Sequence, residues 1–202
     1  MADRNVIPSR PSSSISTSLL ERVKLREQRA WEQLVSIFSP LVLRWCRQSG
    51  VPAADVEDVG QDVFRNVFRR VGAFRRDQPG ESFRAWLRTI TVNRSRDHLR
   101  ALANKPATAE VSDDLKTATD PIARVDEEEE RGILMRRVLA YLQAEYAEES
   151  WRAFWRVTIQ GEAVADVAAQ LGITANSIYI LKSRVLRQLR EHLVELGESG
   201  LP

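Results

Sequence analysis

Ala163 to Arg190 read AVADVAAQLGITANSIYILKSRVLRQLR, and the grammar of this stretch decides the fold. Val164, Val167, Ala168 and Leu171 recur at three- and four-residue steps, the spacing of one apolar face on a short helix. Gly172 supplies a turn, Ile173 an apolar plug between helices, and Thr174 an N-cap hydroxyl for a second helix. That second helix turns Ile178, Leu181, Val185 and Leu189 inward. It leaves Asn176, Ser177, Tyr179, Ser183, Arg184 and Arg187 outward, with Lys182 and Arg190 adding charge. This is the pattern of a helix-turn-helix. Its second helix fits the major groove, where N-terminal residues reach base edges and later arginines meet phosphates. A plain helical hairpin with a solvated basic face is the simpler alternative. The turn residues and the clustered basic side chains favour DNA.

Outward from this stretch the periodicity stays helical, and no run alternates as a strand. Ser18 and Glu21 stand at capping-box spacing at the start of a first helix. Trp31, Leu34, Val35, Phe38, Leu41, Val42 and Trp45 continue as one buried stripe, which Pro40 should kink or break and Gly50 should end. A second helix carries Val56, Val59, Val63, Val67 and Val71 on one side. Phe74 to Glu81, with Asp77, Pro79 and Gly80, reads as a loop. Ser82 caps a third helix with Phe83, Trp86, Leu87 and Ile90 inside. From Leu102 to Asp126 the apolar period vanishes, and Pro106 and Pro121 mark a linker. Helical spacing resumes through Leu134, Val138, Tyr141, Leu142, Trp151, Phe154 and Trp155. The expected fold is all-α, two small helical domains joined by a flexible linker. The boundaries are a leader at 1–17, a first domain at 18–101, a linker at 102–128, a second domain at 129–196 and a tail at 197–202.

Composition narrows the function classes. The chain has 202 residues, 43% hydrophobic and 29% charged, with a formal net charge of only +2. Any affinity for nucleic acid must therefore come from where the charges lie. The acidic run Asp126-Glu127-Glu128-Glu129-Glu130 offsets much of the arginine, and it reads as a solvated linker edge that places negative charge at a helix N-terminus. One cysteine, Cys46, excludes an internal disulfide and reads as a small core residue in a reducing compartment. The N-terminus lacks the apolar core of a secretory signal, and no run is long enough to span a membrane. A cytoplasmic protein is expected. No nucleophile–base constellation or Gly-rich phosphate loop appears, and His98 and His192 lack second ligands at metal spacing. Neither an enzyme nor a cofactor is expected.

Three stretches of the first domain carry further chemistry. Asp58, Gln61, Asp62 and Arg65 share one helix face opposite the valine stripe. The polar loop containing Arg75 and Arg76 is long enough to form a pocket for an unstacked base. Beyond it, Arg84, Arg88, Thr91, Asn93, Arg94, Arg96 and Arg100 follow a helix at a density that suits a phosphate backbone.

These residues bring a family into view. Asp55-Val56-Glu57-Asp58-Val59-Gly60-Gln61-Asp62-Val63-Phe64 resembles region 2.2 of the extracytoplasmic-function sigma factors, a subfamily of the sigma-70 family. Ser82-Phe83-Arg84-Ala85-Trp86-Leu87-Arg88-Thr89-Ile90, with Asn93, Asp97 and Arg100, is similar to their regions 2.3 and 2.4. Ala163 to Arg190 resembles region 4.2. The resemblance covers about residues 18–100 and 129–195 in the family's order. It implies that Asp58, Gln61, Asp62 and Arg65 dock on the clamp helices of the largest subunit of core RNA polymerase, with the flap of the second subunit as a further contact. It implies that Arg75, Arg76, Arg84, Arg88, Thr91, Asn93, Arg94 and Arg100 take the melted −10 element of promoter DNA. It assigns Thr174, Asn176, Ser177, Tyr179, Ser183, Arg184 and Arg187 to the duplex −35 element. An anti-sigma factor is a further partner of the family. Two positions depart from its pattern: Gly60 stands where an aliphatic residue is usual, and Tyr179-Ile180-Leu181 replaces a basic–serine–basic triplet. Trp86 suggests strand separation, but its place on the apolar stripe argues for core packing. The leading alternative is a one-component helix-turn-helix regulator that binds duplex DNA without polymerase. An interaction module such as an anti-sigma antagonist is a weaker one.

Overall fold

The computed structural model describes residues 18–75, 82–104 and 127–196. Among these residues, eight α-helices and one short 3₁₀ turn follow in order. The first helix, α1, spans Leu19–Lys24, and the Ser18 hydroxyl accepts from the Glu21 amide at 3.2 Å. The expected single helix then divides. Arg26 takes a positive φ of 62°, and α2 begins afresh at Gln28 and runs to Gln48. A distant partner holds the break: the Arg26 guanidinium lies 4.1 Å over the Phe68 ring and donates to the Phe68 carbonyl. Pro40 does not interrupt α2. Ile37, Phe38, Leu41 and Val42 on both sides of it are all buried, and that burial outweighs the roughly 3 kcal/mol an interior proline costs. Trp31 and Val35 are only half-buried on this stripe. Gly50 ends the helix at φ 85°.

The next helix, α3, covers Val56–Arg70 and leads into a 3₁₀ turn at Val71–Ala73. The four stripe valines of α3, and Val71 in the turn, are 3% exposed or less, so period and burial agree. The helix α4, Phe83–Ala103, starts on Ser82, whose hydroxyl accepts from the Ala85 amide at 3.0 Å. Phe83, Leu87 and Ile90 are buried. Trp86 packs half-buried against Phe74 and Phe83, with ring centroids at 5.1 and 5.5 Å. The His98 ring meets the Asp55 carboxylate at 3.0 Å and ties α4 to the start of α3. Cys46 is buried, and burial pushes its thiol above the ordinary range.

The remaining helices are α5 (Glu127–Glu145), α6 (Glu148–Thr158), α7 (Val164–Leu171) and α8 (Ala175–Leu196). Glu127 to Glu130 form the first turn of α5, the helix N-terminus expected to carry this charge. The first three are exposed, Glu130 is buried, and Asp126 lies outside the described residues. Helix α5 packs on α2, and α8 reaches α1 and α4, so both halves share one buried core. Glu130 is 1% exposed. Its Oε1 accepts the Trp45 indole proton at 2.6 Å, and its Oε2 lies 3.4 Å from Arg84. Beside it, Arg44 donates to both carboxylate oxygens of Glu129 at 2.6 Å. A buried carboxylate needs such partners, because an uncompensated charge inside a protein costs several kcal/mol.

Candidate nucleic-acid interface

The turn between α7 and α8 behaves as its residues require. Gly172 adopts φ 65° in the left-handed region that favours glycine. The Thr174 hydroxyl accepts from the Ser177 amide at 3.1 Å and shares a hydrogen bond with the Ser177 hydroxyl at 2.8 Å. The two helices meet at 109°, within the range of helix-turn-helix units. Ile178, Leu181, Val185 and Leu189 are buried, as the spacing predicts. A neighbour braces the unit from behind. Arg156 of α6 donates to Glu162 at 2.8 Å and to Gln170 of α7 at 2.8 Å, which holds the Glu162 carboxyl below its usual range.

On the outer side of α8, Asn176, Tyr179, Ser183 and Arg187 are exposed. Arg187 has Glu191 at 3.8 Å. Thr174 and Ser177 spend their hydroxyls on the cap. Arg184 is half-buried near Tyr146, whose hydroxyl donates to Gln188. Burial raises the Tyr146 phenol, and the charges of Arg184 and Arg187 oppose that rise.

In the first half, Asp58, Gln61, Asp62 and Arg65 are all exposed on α3, and Asp62 pairs with Arg65. Around the edge from them, α3 and α4 enclose a cleft of about 380 Å³. It gathers Asn93, Arg94, Arg96 and Arg100 from the expected arginine-rich helix, and adds Asn66 and Arg70, which the sequence reading missed. Asp97 lies among them, 3.7 Å from Arg94 and 3.8 Å from Arg100. Asn66 is 7% exposed, and its buried Oδ1 has no hydrogen-bond partner among the described residues. A polar residue three positions after Val63, on the valine side of α3, was the available signal.

Other expected residues are placed elsewhere. Thr91 is fully buried and donates its hydroxyl to the Leu87 carbonyl at 2.9 Å. The expectation that it meets DNA is corrected: it sits on the inner face with Leu87 and Ile90. Arg75 donates to the carbonyls of Gly72 and Phe74 at 2.8 and 3.1 Å. Arg84 faces Glu130, and Arg88 is half-buried on the same helix. Arg76 lies outside the described residues. Among those described, no group of three His, Cys, Asp or Glu could hold a metal ion. No single described helix is long and apolar enough to cross a membrane.

Residues 34–105 match the family model for sigma-70 region 2. The chain is 30% identical over 177 residues to the RNA polymerase sigma factor CarQ of Myxococcus xanthus, covering 88% of this chain and 97% of CarQ. It is 34% identical over 97 residues to the ECF RNA polymerase sigma-E factor of Escherichia coli K12, covering 46% and 47% of the two chains. A solved structure of CnrH in complex with the cytosolic domain of CnrY aligns at 25% identity and a TM-score of 0.36, over 89% of this chain and 97% of that one. With one sigma factor matched almost end to end, and region 2 matched where α2, α3 and α4 lie, the family is settled: this chain belongs to the sigma-70 family of RNA polymerase sigma factors, in the extracytoplasmic-function subfamily.

Proposed function

We propose that this sigma factor divides its work among three surfaces. The exposed face of Asp58, Gln61, Asp62 and Arg65 docks on the clamp helices of the largest polymerase subunit. The arginine-lined cleft between α3 and α4 takes the melted −10 strand. The outer face of α8 reads the duplex −35 element, and the second half also meets the polymerase flap. The observation that carries this reading is the cleft. Its rim of Arg70, Arg94, Arg96 and Arg100 suits phosphates, and the amides of Asn66 and Asn93 within it can pair with the edge of an unstacked base. RNA synthesis itself belongs to the polymerase, so the protein works as a binding subunit in the cytoplasm. An anti-sigma factor completes the set of proposed partners.

The test is reconstitution. Purified protein mixed with core polymerase should give specific run-off transcripts from genomic promoter fragments. Tight, specific duplex binding by the protein alone, with no transcript from the mixture, would instead return the one-component regulator.

A further inference from the structure

The recognition helix exposes more apolar surface than its fold requires. Its inner face is complete with Ile178, Leu181, Val185 and Leu189, all buried. Yet Tyr179 is 58% exposed and Ile180 is 52% exposed on the opposite side. Neither is a favoured residue for an exposed helix position: both have weaker helix propensity than alanine, and isoleucine is stiff at its β-branch. Ile180 lies one turn beyond Asn176 and one turn before Ser183, in the middle of the outward face. Arg187 and Arg190 continue that face as exposed cations.

An apolar centre with a basic margin selects its occupant by chemistry. The margin suits a polyanion. Among the groups that duplex DNA presents in its major groove, the C5-methyl of thymine is the apolar one. We propose that Ile180 is a specificity-determining residue that reads a thymine methyl group in the −35 element, with Tyr179 packing beside it. This rests on the assignment of α8 to the −35 duplex made above. Sequence choice at that position would then come from apolar contact rather than from hydrogen bonds. A cytosine there offers no methyl, and a purine edge would set polar atoms against the isoleucine side chain.

The experiment uses the full chain assembled with core polymerase, on the promoter fragments recovered by run-off transcription. Each thymine of the −35 element, on either strand, is replaced singly by deoxyuridine, which removes the methyl group and nothing else. Closed-complex affinity is measured for the wild type, Ile180→Ala and Ile180→Val. The wild type should lose about fourfold at one position, the worth of a single buried methyl. Ile180→Ala should bind the thymine and deoxyuridine promoters equally well, and Ile180→Val should keep part of the difference. Because the side chain is exposed, all three should fold alike by circular dichroism. A wild type indifferent to every deoxyuridine overturns the proposal, as does methyl sensitivity that survives in Ile180→Ala. If Ile180→Ala instead loses affinity for core polymerase without DNA, the patch serves a protein partner and the proposal falls. A wild-type assembly without sequence-specific binding overturns the −35 assignment itself, a failure seen before any deoxyuridine is introduced.

Discussion

Gly60 lies inside α3, where glycine costs about 1 kcal/mol relative to alanine. The structure supplies the compensation: a Cβ at this position would stand 2.9 Å from Cδ2 of Leu43, so glycine lets α3 approach α2 closely. Leu43 is half-buried and its methyl is the free end of a side chain, so it can yield to one added carbon. Gly60→Ala should therefore stay within about 1 kcal/mol of wild type, its helix propensity offsetting the contact. Gly60→Leu should cost about 1–3 kcal/mol by overpacking. Urea midpoints check both, and a leucine tolerated as well as alanine would show that the close approach is not limiting. The departure at Gly60 was legible in the sequence, whereas its reason needed the distance between two helices. Asn66 and Thr91 follow the same logic, since a helical period gives direction but not the width of the gap it faces. On the solvent side of α3, reversing Asp58 and Asp62 to Lys should weaken co-purification with core polymerase. Stability should shift by less than about 0.5 kcal/mol, because both residues are exposed. Undiminished co-purification would remove this face from the docking assignment.

Among elements, the apolar period located nearly every helix, and the caps at Ser18, Ser82 and Thr174 form as read. Two features escaped it. The break between α1 and α2 depends on Arg26 reaching Phe68, a contact across 42 positions of sequence that no local pattern encodes. Pro40 does not break α2, because the stripe around it packs on one continuous core. The helices α4 and α8 should also separate in function. Arg187→Ala and Asn176→Ala on α8 should weaken closed promoter binding, each by about 1–3 kcal/mol where a base contact is lost. Arg88→Ala and Asn93→Ala on α4 should leave recruitment nearly intact and impair strand opening, read as lost permanganate reactivity of unpaired thymines. A pre-melted promoter should rescue the second pair and not the first. If both pairs failed at the same step, the division between −10 and −35 surfaces would be wrong.

At the scale of the whole molecule, the two helical domains outlined by the sequence meet where α5 seats on α2 through Glu129 and Glu130. That contact was hidden because an acidic run normally reads as a solvated face. Glu130 also lies 3.4 Å from Arg84, one of the residues assigned to the −10 strand, so this carboxylate competes with DNA for that guanidinium. Glu130→Ala removes the acceptor of the Trp45 indole and should cost about 1–3 kcal/mol. Glu130→Gln keeps an acceptor and should cost less, both measured by denaturant unfolding. An alanine variant as stable as wild type would mean that the buried bond contributes nothing net. Trp45 and its neighbour Cys46 then make the chain its own clock. The indole proton can exchange with solvent once α5 lifts from α2. The single thiol, fully buried, can be alkylated only when an opening admits a whole reagent molecule and lets the thiolate form. Exchange at Trp45 should therefore run ahead of labelling at Cys46, and the interval between the two times the lifting of one helix against the loosening of the core beneath it.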